Sequence, residues 1–222
     1  GFSFQARGYE LYLLAEWGLL LSLFSFIKSG DNKWLWLNVA SATVGFFCLP
    51  SFLYIFVAQI VFMAIYRAPR GKKVISFWKY QVLTLAVTYI CYLPVLCFSG
   101  LQAVTGNAYV AAMGAFQKTG RWAFTEWMFP YFKPYITHMF SDLHWSSLPI
   151  CMVLIFVPLG LLFSKKNTMT RAFGLFYLVM WISFFVVVIV MEKLPFERNL
   201  IGHYSISMAG VLVVGYWLAA GL

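Results

Sequence analysis

The sequence predicts an all-α, polytopic transmembrane helical bundle of about seven spans. Three observations carry that prediction. The 222 residues are 62% hydrophobic and only 10% charged, whereas a soluble domain averages about a quarter charged. The mean hydropathy is +0.81, and the apolar residues fall in repeated runs close to the length that crosses a bilayer. Those runs are broken irregularly by Pro and Gly and do not alternate with the period of two that barrel strands require.

Taken in order, the spans are expected at about 9–27, 34–49, 51–66, 77–98, 148–163, 172–191 and 201–222. Lys28-Ser-Gly-Asp-Asn-Lys33 ends the first, and Pro50 closes the second. The third follows at once, which makes the pair a tight helical hairpin. A strongly basic link, Arg67-Ala-Pro-Arg-Gly-Lys-Lys73, leads to the fourth, where Pro94 is expected to kink the helix near its end. The stretch 99–147 is the one long segment without a membrane-length apolar run, and it is dense in aromatic residues. It is read as a single outer-face loop containing interfacial helices, the roof of any site on that side. All the spans form one integral membrane domain. The chain opens on Gly1 within an apparent motif and stops in apolar sequence, so truncation at both ends is expected.

The net charge of +9 follows from topology rather than from a nucleic-acid partner. With residues 1–8 outside, the inner links 28–33, 67–76 and 164–171 collect Lys28, Lys33, Arg67, Arg70, Lys72, Lys73, Lys165, Lys166 and Arg171 against Asp31 alone. Cytoplasmic loops carry such an excess of Lys and Arg, so the N-terminus and the long loop are placed outside. The four cysteines, Cys48, Cys91, Cys97 and Cys151, all fall in apolar runs and read as small buried hydrophobes rather than disulfides or zinc ligands.

Several polar groups remain at the outer face. Arg7 stands at the mouth of the first span, with Glu10 one turn further in. They could pair with each other, anchor the helix at the interface, or face a cavity where a guanidinium grips phosphate through two hydrogen bonds. Glu16 lies two turns into the same helix. An acid there is a functional candidate, or a helix-packing partner of Asn38 or Gln59. Arg198 and His203 bracket the start of the seventh span, where a helix N-terminus beside an arginine suits phosphate; the alternative is an ordinary polar turn capped by Asn199. His138, Asp142 and His144 in the long loop could hold a divalent metal, but their spacing matches no strong zinc motif, so no cofactor is assigned.

The stretch Ser3-Phe-Gln-Ala-Arg-Gly-Tyr-Glu-Leu11 resembles the x-A-R-[GP]-Y-x-L start of a transmembrane helix in GT-C class glycosyltransferases, the bacterial relatives of dolichyl-phosphate-mannose protein mannosyltransferases. Gly45-Phe-Phe-Cys-Leu-Pro-Ser-Phe-Leu-Tyr54 resembles that family's hairpin, with Pro50 where a His often stands. Tyr92-Leu-Pro94 resembles its exit before an outer loop, and Leu194-Pro-Phe-Glu-Arg-Asn199 its Pro-x-x-Arg turn. The resemblance implies a C-terminal-side fragment of an enzyme that transfers a sugar from a polyprenyl-phosphate-linked donor at the outer face of a membrane. It implies Arg7 and Arg198 as donor-phosphate ligands; Glu10, His203 and Asp142 are further candidate cavity polar groups by their outer-face position, not by a family motif. It implies membrane lipid and the sugar donor as partners, and the bacterial inner membrane as location, with the loop periplasmic or extracellular. The family's catalytic carboxylate lies in an outer loop that would precede Gly1, so no catalytic residue is named. Two other classes fit the same residues: a transporter or flippase of an amphipathic anion, and a non-catalytic membrane scaffold.

Overall fold

A computed structural model of the chain describes residues 2–66, 72–105, 159–160, 162, 168–191 and 201–219. Every described element is helical, and among the described residues there is no strand. The chain divides into two compact units, Gly1–Ala115 and Phe116–Leu222. The division falls within the stretch expected to be the long loop.

The first unit holds α1 (Phe2–Ser29), α2 (Lys33–Cys48), a 3-10 turn (Pro50–Phe52), α3 (Leu53–Ile65) and α4 (Lys72–Thr105). Helix α1 buries Tyr12, Ala15, Glu16, Leu19, Leu20, Ser22, Leu23 and Phe26, while Leu11, Leu14, Trp17 and Leu21 on other faces stay exposed. The buried set recurs every three or four residues, as one face of a helix must. A helix apolar on its exposed faces as well suits lipid rather than water. Gly30 ends α1 with φ 72°, and its N–H donates to the Phe26 carbonyl at 2.7 Å. Glycine takes this left-handed cap without a Cβ penalty. A Cβ at Gly30 would also meet the Lys73 side chain. The start of α4 therefore lies beside the C-terminus of α1, where a cation is favoured by the helix dipole, so the α1–α2 link and Lys73 sit at one end of the unit.

Helices α1 and α2 approach closely through small residues: a Cβ on Gly18 would press on the Ser41 hydroxyl. At the opposite end, the Phe52 ring occupies the space a Gly45 side chain would need. Leu49 is extended (φ −152°, ψ 128°) and ends α2, as expected for the residue before a proline. The hairpin predicted around Pro50 is therefore present, with a 3-10 turn between its helices.

In α4, Phe77, Gln81 and Thr84 are buried while Ile75, Val82, Leu85, Tyr89 and Ile90 are exposed. Pro94 is accommodated within the helix, and the backbone leaves helical geometry at Gly100 (φ 69°, ψ 173°) instead. Cys91 and Cys97 are exposed and Cys48 is half-buried, so these three cysteines are not core residues as expected. Cys91 and Cys97 fall on the wide exposed side of α4, which buries only a narrow stripe, and Cys48 is the last residue of α2. Cys151 lies outside the described residues.

The second unit is described through α5 (Thr168–Met191) and α6 (Ile201–Ala219). Helix α5 buries Ala172, Phe176, Tyr177, Val179, Met180, Ser183 and Phe184. Trp181 and Phe184 meet His203 of α6, and Tyr177 lies by Ser207. Later residues of one helix thus face earlier residues of the other, an antiparallel pair.

Three stretches are long and apolar enough to cross a membrane: Tyr9–Ser29, Lys73–Phe98 and Thr168–Val187. Pro50–Ile65 is apolar but shorter, and the 16 residues of α2 rise only about 24 Å. The protein is thus consistent with an integral membrane protein. The expected span 148–163 and most of the loop 99–147 lie outside the described residues.

Candidate functional site

Polar side chains inside the first unit form two groups at different heights. The group nearer the basic end is closed on itself. Asn38 Nδ2 donates to Gln59 Oε1 at 3.0 Å, Gln59 Nε2 donates to Gln81 Oε1 at 3.0 Å, and Gln81 Nε2 donates to Asn38 Oδ1 at 3.2 Å. Three amides from α2, α3 and α4 make a ring in which each gives one bond and takes one. Asn38 Nδ2 also donates to Ser22 Oγ at 2.9 Å and, at a longer 3.4 Å, to the Leu19 carbonyl. Ser22 Oγ in turn donates to Leu19 O at 2.7 Å. The ring therefore ties all four helices, and every member is buried. Each amide lies roughly 10 Å of helix rise from the basic end. Interhelical hydrogen bonds of this kind hold membrane helices together.

The second group sits about two turns further along α1, toward the hairpin. Glu16 is 0% exposed, and neither of its carboxylate oxygens has a hydrogen-bond partner. The expected partners, Asn38 and Gln59, are taken up by each other, by Gln81 and by Ser22. The reason is height: Ser22, not Glu16, is the α1 residue level with Asn38, and the two differ by about 9 Å of rise. Tyr12, one turn from Glu16, is also 0% exposed. Its ring meets Phe52 of the hairpin turn edge-on at 5.6 Å. Its hydroxyl lies near Ser51, yet neither oxygen completes a hydrogen bond.

A third polar contact joins two stretches that sequence reasoning treated separately. The Tyr92 hydroxyl donates to the Phe46 carbonyl at 2.7 Å, and the Phe47 and Tyr92 rings lie 5.1 Å apart. In a continuing helix the Phe46 carbonyl would accept from the N–H of residue 50. Residue 50 is proline and has none, so Tyr92 supplies the missing donor from α4. The signal was in the sequence as a proline four residues after Phe46, but not the identity of the replacement donor.

The predicted site residues are placed unevenly. Arg7 lies within the backbone of α1, which begins at Phe2, and its side chain is outside the description. Glu10 is exposed. Arg198 and Asp142, with His138 and His144, lie outside the described residues. His203 is fully buried, with ring centroids 5.5 Å from Trp181 and 5.2 Å from Phe184. Its carbonyl accepts the Ser207 hydroxyl at 2.6 Å. Two aromatic rings thus flank the imidazole, with Ser207 one turn further along the same helix. Among the described residues no three of His, Cys, Asp and Glu come together as a metal-binding group. Comparisons with known protein families, characterised proteins and solved structures find no match to this chain.

Proposed function

We propose that this chain is part of a polytopic membrane glycosyltransferase that draws a sugar from a polyprenyl-phosphate-linked donor at the outer face of the bacterial inner membrane. In this reading it spans the bilayer about seven times, and the long loop 99–147 covers the donor on the periplasmic or extracellular side. Arg7 and Arg198 neutralise the donor phosphate, which leaves when the sugar is transferred. Electrostatic stabilisation of a departing phosphate is work that fixed guanidinium groups can do.

One observation supports this reading above the others. Three of the four stretches that resemble the family belong to the first unit, and they converge at its hairpin end. Tyr92, of the Tyr-Leu-Pro stretch, bonds the Phe46 carbonyl of the hairpin stretch. Tyr12, a few residues after Arg7, packs on Phe52 of that same hairpin.

The test is binding of a polyprenyl phosphate to the full-length protein in nanodiscs, comparing wild type with Arg7→Ala and Arg198→Ala. Each substitution is expected to weaken binding at least tenfold, about 1.4 kcal/mol. Unchanged binding in either variant removes that arginine from the phosphate site. No binding by wild type removes the transferase reading.

A further inference from the structure

Glu16 has no part in the transferase reading, and the structure gives it no ordinary structural role. It occupies the middle of the buried face of α1, with both oxygens bare. Buried carboxylates are normally paired, because an isolated charge is strongly disfavoured in low-dielectric surroundings. The titratable neighbours are Tyr12 on its own helix and, acting on Tyr12, Tyr54 of α3. Among the described residues no Lys, Arg or His acts on the carboxyl from α2, α3 or α4. The other bare side-chain oxygens described in the first unit, on Tyr12, Thr43, Ser51 and Thr88, are all hydroxyls. An unsatisfied buried group of this kind points to an occupant.

The charge of that occupant follows from simple electrostatics. Water would satisfy the hydrogen bonds but leave the negative charge in place. A divalent ion would leave one unit of positive charge beside a single carboxylate. Only a single positive charge leaves the site neutral. We propose that Glu16 reversibly binds one monovalent cation, a proton or a sodium ion, with the Tyr12 and Ser51 hydroxyls as its neutral oxygen ligands.

Carbodiimide labelling tests this directly. The full-length protein in nanodiscs is treated with dicyclohexylcarbodiimide, which modifies protonated carboxyls in apolar surroundings, and adducts are mapped by mass spectrometry. Glu16 is expected to be labelled. If the occupant is a proton, the rate falls about tenfold per pH unit above the site's midpoint, with no effect of sodium. If it is sodium, labelling at fixed pH is suppressed by sodium chloride but not by choline chloride at the same ionic strength. No adduct at Glu16, or a rate indifferent to both pH and sodium, overturns the proposal. A second readout is the thermal shift produced by sodium or by acid, which Glu16→Gln is expected to abolish. Should that variant fail to fold, the wild-type labelling decides alone. Failure here leaves the arginine-based transferase reading untouched, since the two experiments probe different residues.

Discussion

At the scale of single residues, Pro50 creates a need that Tyr92 meets. The proline ends α2 and removes a donor; the tyrosine hydroxyl bonds the carbonyl left behind at 2.7 Å. Tyr92→Phe is therefore expected to destabilise the protein by about 1–2 kcal/mol. In a Pro50→Ala background the amide at position 50 can serve the carbonyl, so the same substitution is expected to cost less. Unfolding in detergent across this double-mutant cycle measures the difference; equal costs in both backgrounds would contradict the account. Asp31 shows a weaker effect. The Lys33 backbone N–H, at 3.0 Å, and then the Lys33 side chain, at 3.1 Å, hold its carboxyl below the usual range. The lowered value means that its stabilising contribution is present above the ordinary carboxylate pKa and is lost as pH falls through the folded value. Both partners are well exposed, so the contribution is small. Asp31→Asn is expected to lower the unfolding midpoint slightly at neutral pH and to leave it unchanged in acid well below the folded value, where Asp31 is itself protonated.

At the scale of helices, the amide ring explains why α2, α3 and α4 stay in register without strong amphipathic patterns. Apolar side chains gain little by leaving lipid for one another, so specific hydrogen bonds and close small-residue contacts set the arrangement. Asn38 is the node: it bonds Gln59, Gln81 and Ser22. Asn38→Ala is expected to cost more than Gln81→Ala, each in the range of about 0.5–2 kcal/mol. Combining Gln59→Ala with Gln81→Ala is expected to cost less than the sum of the singles, because the first break already opens the ring. Additive costs, measured by unfolding in detergent, would show that the three amides act independently.

At the scale of the molecule, the basic links at 28–33 and 67–76 and the clustering of family-like stretches at the hairpin end define two chemically different faces. The proposed orientation, argued from the excess of Lys and Arg, puts the basic face in the cytoplasm. In a background lacking Cys48, Cys91, Cys97 and Cys151, a cysteine at position 31 is expected to react with impermeant maleimide only from the cytoplasmic side. A cysteine at position 10 is expected to react only from the outer side. The reverse pattern would invert the orientation and remove the site from the outer leaflet.

Composition and run length alone determined the helical class and the membrane setting, since an apolar run of this size satisfies its backbone only as helix in lipid. Local chemistry was also legible: Pro50 announced the hairpin, and the Lys28–Lys33 stretch the end of α1. Pairing of side chains across helices was not legible, because it depends on the height at which antiparallel helices meet. One turn of displacement exchanges one partner for another. Glu16 and Ser22 differ by less than two turns, yet one stands beside the amide ring and the other has no hydrogen bond. The same reasoning separates Cys91 and Cys97, apolar by sequence and exposed in the fold, from Gln81, polar by sequence and buried. Hydropathy describes each residue's affinity for lipid; only the packing of four helices decided which polar groups found one another.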